Sequence, residues 1–175
     1  MKRLFLLVLL LAGVSLSGCG YTTGSVISSR YQTIFVEPFD NKIEYMNQDE
    51  RKIYIPQLET KVREAVIDRM MFDGNLKIGE ESDSDLVLKG QVLSFERGEL
   101  RMTDNSDVKE YRLTLTVSLT LWDSAEKKNV WEEPSFSGSA TYYTTGPLAK
   151  SEAAAIQDLL TNLARRVVAR TVEDW

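Results

Sequence analysis

Residues 111–121 alternate without exception. Tyr111, Leu113, Leu115, Val117, Leu119 and Leu121 are apolar, while Arg112, Thr114, Thr116, Ser118 and Thr120 between them are polar. A period of two over eleven residues describes a strand with one face in a core and the other toward water or a partner. Runs rich in β-branched and aromatic residues predict further strands at 33–39, 86–95 and 130–143, and a short one at 76–78. Pro38 cannot donate to a ladder and belongs at a strand end or edge. Gly90 marks a bulge or a close approach of another backbone, and Pro134 with Gly138 bends or interrupts the last strand.

Elsewhere the period lengthens. Over 56–72, Leu58, Val62, Ala65, Val66 and Met70 share one helical face. Ile67 and Met71 widen that face, which predicts cover on more than one side. Pro56 suits the first turn, and Asp73-Gly74 supplies the stop. Over 151–171, Ile156, Leu160, Leu163 and Val167 form the stripe of a second amphipathic helix, with Arg165, Arg166 and Arg170 near its C-terminus. Residues 40–55 read as a polar loop, 97–109 as a polar hairpin connection and 123–129 as a turn. The order β-α-(β)-β-β-β-α gives an α+β two-layer sandwich. Its expected core is a mainly antiparallel four-stranded sheet with two helices on one face.

The first residues follow a different logic. Lys2 and Arg3 precede an unbroken apolar run at 4–11, too short to span a bilayer, and small residues lead to Cys19. Leu16-Ser17-Gly18-Cys19 resembles a bacterial lipobox, so residues 1–18 are expected to be a signal peptide and Cys19 the lipidated first residue of the mature chain. Residues 19–30 then form the lipidated cysteine and a flexible tether, and 31–175 a single domain. Gly20, by analogy with lipoprotein sorting, favours the outer membrane on its periplasmic side. Cys19 is the sole cysteine, so lipid consumes the one thiol.

Composition then removes function classes. Loss of Lys2 and Arg3 takes the formal net charge from −5 to −7, which disfavours nucleic acid as a partner. The chain has no histidine, and so lacks the commonest general base and transition-metal ligand. No glycine-rich phosphate loop or nucleophile elbow occurs. The acidic stretches Glu80-Glu81-Ser82-Asp83-Ser84-Asp85 and Asp104-Asn105-Ser106-Asp107 lack the glycine and terminal glutamate of a calcium-binding EF-hand loop, and read as solvated turns. Trp131-Glu132-Glu133 allows either a sugar platform or charged flanks on an exposed strand, and the second is the plainer reading. No catalytic residue, metal site or cofactor is expected beyond the covalent lipid on Cys19.

Taken in order, several segments resemble a known family. These are Leu-Ser-Gly-Cys-Gly-Tyr, Thr-Ile-Phe-Val-Glu-Pro-Phe-Asp-Asn, Asp-Gly-Asn-Leu-Lys-Ile and Asp-Leu-Val-Leu-Lys-Gly-Gln-Val. They continue with the alternating strand, Val-Trp-Glu-Glu-Pro and an alanine-rich final helix. Together they resemble the LptE family of lipopolysaccharide-assembly lipoproteins over essentially the whole chain. The resemblance implies a non-catalytic domain that plugs the LptD-type outer-membrane β-barrel and assists lipopolysaccharide transport. It also implies lipopolysaccharide contact through basic residues, for which Arg101 and Lys150 are the matching positions and Arg97 a further one. The polar positions Arg112, Thr114, Thr116, Ser118 and Thr120 would face the partner. Two other classes stay open at this point: a lipid-anchored periplasmic adaptor for a cell-wall synthase or secretion complex, and a carboxylate-dependent periplasmic hydrolase.

Overall fold

The structure, a computed structural model, describes residues 30–44, 53–102 and 107–172. The expected signal peptide, Cys19 and the tether up to residue 29 lie outside the described residues, as do positions 104–106 of the second acidic stretch.

Among the described residues, six strands and two helices follow in the order β1 (Thr33–Val36), β2 (Asp40–Asn41), α1 (Leu58–Asp73), β3 (Lys77–Ile78), β4 (Leu86–Met102), β5 (Val108–Asp123), β6 (Lys128–Tyr143) and α2 (Glu152–Val172). The sheet runs β3-β1-β4-β5-β6, with β2 also on β4. The architecture is α+β as expected, but the sheet is a mixed one of six strands, not an antiparallel four. Strand β1 pairs parallel with both β3 and β4, and β2 pairs parallel with β4, whereas β4, β5 and β6 form an antiparallel meander. The cause is connectivity. A helix separates β1 from β3 and β4, and such a crossover returns the chain in the same direction. Asp40 and Asn41, within the expected loop, continue the edge begun by β1 after a break at Pro38.

The expected connection at 97–109 is largely strand. Arg97 to Met102 extend β4, and Val108 and Lys109 begin β5, so the two run together from Leu86↔Asp123 to Met102↔Val108. Leu93 is an extra residue between the pairs Val92↔Val117 and Ser94↔Thr116. That bulge switches the parity of β4, which is why Val92 and Phe95 both reach the core.

The core lies between the sheet and the helices. Leu113, Leu115, Val117, Leu119 and Leu121 are buried, and they meet Leu58, Val62, Val66 and Met70 of α1 and Leu159, Leu160, Leu163 and Val167 of α2. Each such side chain contributes about 1.5–3 kcal/mol on burial. Gly138 of β6 lets α2 come close: a Cβ there would fall 2.8 Å from Leu163 Cβ and 3.0 Å from its Cα. At Gly90 the neighbour is a ring, since a Cβ would fall 2.5 Å from Phe39 Cζ. Helix α1 ends as expected, with Gly74 at φ 77° and its N–H on the Met70 carbonyl at 3.0 Å. Met71 departs from the expected broad buried face and is exposed.

The outer strand β6 is also tied to α2. The Arg166 guanidinium donates to the Ser137 carbonyl, and the Ser139 N–H donates to Asn162 Oδ1 at 3.4 Å. Covering backbone groups of an outer strand in this way limits pairing with another chain.

Candidate functional site

The three basic residues singled out from the sequence come to one end of the domain. Arg101 pairs with Glu110 across β4 and β5, and Glu110 pairs with Tyr143 of β6. Tyr143 forms a bridge with Ala149, and its carbonyl accepts the Lys150 N–H at 3.1 Å. Arg97 lies four residues earlier on β4 and reaches Glu152, the first residue of α2.

Each cation already has a carboxylate. Arg97 Nη1 donates to Glu152 Oε2 at 2.7 Å, and the Tyr142 hydroxyl donates to the same oxygen at 2.7 Å. The Arg97 guanidinium lies 5.0 Å from the Tyr111 ring centroid, and Tyr111 stacks on Tyr142 at 5.5 Å. Burial and the bond to Glu152 push the Tyr142 hydroxyl up to about 12. Burial disfavours the charge on Glu152, yet hydrogen bonds from Tyr142 and Arg97 hold its pKa below the ordinary value. This cluster joins β4, β5, β6 and α2, which gives Arg97 a structural role.

Arg101 is different. Its Nε lies 3.1 Å from Glu110 Oε2, its side chain is exposed, and Glu110 is only 7% exposed. A guanidinium held at Nε keeps its two terminal amino groups available for a second, planar acceptor. Lys150 pairs with Asp158 at the surface, the kind of contact that contributes little to stability. Around these cations Leu100, Met102 and Leu148 are exposed. Strand alternation could have flagged Leu100 and Met102, had β4 been read past residue 95; Glu110 and Glu152 carried no signal in the sequence.

The opposite end gathers a second polar cluster. Asp123 is wholly buried and accepts four donors: Arg30 and the Tyr31 hydroxyl (2.7 Å) at Oδ2, and the N–H groups of Ala125 (2.8 Å) and Glu126 (2.9 Å) at Oδ1. Burial opposes its charge, but those donors hold its pKa down to about 2, while burial and Asp123 push the Tyr31 hydroxyl up to about 12. Asp85 accepts the Gln32 N–H at 2.8 Å and the Thr33 N–H at 3.0 Å, which lowers its pKa. The stretch Glu80–Asp85 is a turn, as expected, and its last residue fastens the start of β1.

Arg112, Thr114, Thr116, Ser118 and Thr120 occupy the sheet face away from the helices. Cross-strand partners extend this face with Gln91, Ser94 and Glu96 from β4 and Ser137, Ser139 and Thr141 from β6. Lys89 and Glu132 flank Thr120 in the same register, so this face mixes short hydroxyl side chains with the charges of Lys89, Glu96, Arg112 and Glu132. Trp131 belongs to the other side: it is buried, with the Arg170 guanidinium 5.1 Å from its ring. A sugar platform at Trp131-Glu132-Glu133 is thereby ruled out.

A family model described as LptE, lipopolysaccharide-assembly, matches residues 31–171. No curated protein matches the chain. Solved structures share the fold at low identity. A Xanthomonas campestris protein of the DUF330 family aligns with TM-score 0.58 and 15% identity, over 83% of this chain and 88% of its own. A hypothetical protein from Chlamydia trachomatis gives TM-score 0.57 and 13% identity, over 81% of this chain and 95% of its own. An uncharacterized lipoprotein B from Nitrosomonas europaea gives TM-score 0.53 and 10% identity, over 81% and 83%.

Proposed function

The chain belongs to the LptE lipopolysaccharide-assembly family, and on that premise we propose that it is a non-catalytic, lipid-anchored partner of an LptD-type β-barrel on the periplasmic side of the outer membrane. Cys19 carries the lipid, the domain plugs the barrel, and the end that holds Arg101 and Lys150 handles lipopolysaccharide during assembly. The observation that carries this reading is the meeting of Arg101 and Lys150 with exposed Leu100, Met102 and Leu148 at one end. Phosphorylated lipid A needs cations for its phosphates and apolar surface for its acyl chains, and guanidinium supplies planar, charge-assisted bonds to phosphate. The hydroxyl-rich face of β4, β5 and β6 supports the barrel partnership, because a polar lumen wall calls for a polar plug.

Two experiments test the reading. Extraction of the tagged lipoprotein in detergent should recover a large β-barrel, and recovery without one counts against the partnership. Lipopolysaccharide binding should weaken tenfold or more when both cations are lost, since hydrogen bonds to charged groups contribute about 1.5–3 kcal/mol each. Arg101→Asp would set a second carboxylate against buried Glu110, so the informative variant combines Arg101→Gln, Glu110→Gln and Lys150→Gln. Unchanged binding by that variant removes Arg101 and Lys150 from the site.

A further inference from the structure

The last turn of α1 carries two large apolar side chains that the fold leaves uncovered: Met71 is 59% exposed and Phe72 79%. The Arg69 guanidinium lies 5.0 Å from the Phe72 ring centroid. Their position follows from the residues just beyond the helix. Lys77 pairs with Thr33, and its N–H donates to the Gln32 carbonyl at 2.9 Å. Met71 and Phe72 therefore sit at the end where the chain enters the fold, beside the segment that Arg30, Tyr31 and Asp85 fasten. Residues 20–30 link that point to Cys19. At 3.3–3.6 Å per residue they reach at most about 40 Å.

We propose that Met71 and Phe72 dip into the phospholipid surface to which the lipid on Cys19 fastens the chain. The contact rests on the lipoprotein reading of Cys19 and adds a second, non-covalent point of attachment. One tether leaves a domain free to swing, whereas two points fix which end faces the leaflet. A tethered site acts at high effective concentration, so a shallow insertion of two side chains is enough. The chemistry of the surface follows from the surrounding charges. Asp68, Asp73, Glu80, Glu81 and Asp83 outnumber Arg69, Lys77 and Lys127, the last lining a cavity with Glu80 and Glu81. Attraction to anionic headgroups cannot drive the contact; burial of apolar area does, and a zwitterionic surface suits it best. The Arg69 guanidinium, packed over the Phe72 ring, adds a cation–π contact that holds the ring at the surface.

The test uses the lipidated full chain in vesicles of phosphatidylethanolamine and phosphatidylcholine. Phe72→Cys offers the one reactive thiol, because the Cys19 sulfur is held in a thioether, and an environment-sensitive fluorophore is attached there. Leu148→Cys, at the far end, carries the same label in a second sample. The label at position 72 should shift to the blue and lose several-fold of its intensity to quencher-bearing lipids. Salt at roughly 0.5 M should leave both effects in place, since screening at that strength erases attraction between exposed charges. The label at position 148 should stay water-like. Intact mass separates the two ways of failing. A water-like label at position 72 on a chain whose mass includes the lipid overturns the contact alone, and a chain without lipid overturns the anchored reading and the contact together. Shielding of position 72 that requires an added barrel protein also overturns it.

Discussion

Asp123→Asn removes the charge on which the entry of the chain into the fold depends. The wild-type carboxylate is wholly buried and meets four donors, so its pKa falls from an ordinary 3.8 to about 2. That fall corresponds to about 2 kcal/mol of stability. Asparagine keeps one oxygen but turns an NH₂ group toward donors, either those of Arg30 and Tyr31 or the N–H groups of Ala125 and Glu126. The expected loss is about 2–4 kcal/mol, because hydrogen bonds are forfeited and donors are left without an acceptor. Urea unfolding of a chain beginning at Gly20 measures it directly. The pH profile supplies an independent check. The folded-state pKa is depressed, so the contribution of Asp123 is fully present above about pH 4 and is lost as pH falls through about 2. Asp85 and Glu152 are lowered too, and only the difference between wild type and Asp123→Asn isolates this residue. That difference should shrink by about 2 kcal/mol between pH 5 and pH 2. A substitution costing under about 0.5 kcal/mol, or a difference independent of pH, refutes the reasoning.

Three further outcomes are expected. Gly138→Ala should cost about 1–3 kcal/mol in thermal melts, because a Cβ meets the Leu163 backbone, whereas Gly98→Ala, with nothing within 4 Å, should stay within about 0.5 kcal/mol. Arg101→Met should destabilise the fold by about 1–3 kcal/mol by stranding buried Glu110, and Glu110→Gln in the same chain should recover most of the loss; a double-mutant cycle without coupling contradicts the pairing. Phe95→Ala, at a fully buried ring opposite Leu115, should cost about 3–5 kcal/mol by urea unfolding, and a loss below about 1 kcal/mol would show that the bulge at Leu93 does not aim that ring into the core.

The sequence revealed most where a single period held. The alternation from Leu113 to Leu121, the stripe of α2 and the stop at Gly74 all appear in the fold, because local pattern and tertiary burial agree there. What it concealed came from non-local pairing. Asp40 and Asn41 carry no strand signal, and they become β2 only because β4 offers a free edge beside them. The bulge at Leu93 breaks the period within β4, which made Arg97 to Met102 read as a polar connection. Arg97 illustrates the limit at the candidate site. Its residue type suits a phosphate contact as well as that of Arg101 does, and only the packing of Tyr111, Tyr142 and Glu152 around it shows that its charge also ties the strands to α2. Met71 shows the reverse, an apolar position on a helical stripe that the second helix does not cover.

The length of the meander has a consequence for reach. Strand β5 has 16 residues, and at about 3.3 Å per residue it extends roughly 50 Å, slightly less with twist. A bilayer with its headgroups is about 40–45 Å thick. The Arg30–Asp123 cluster lies at one end of this ruler and the Arg101–Glu110 pair at the other. Standing inside a barrel lumen, such a domain would keep the end with Arg30 and Asp123 at the inner leaflet while the end with Arg101 and Lys150 arrived at the level of the outer one. It would do so although no helix among the described residues is long and apolar enough to cross a membrane. The barrel would supply the crossing, and the strands the distance.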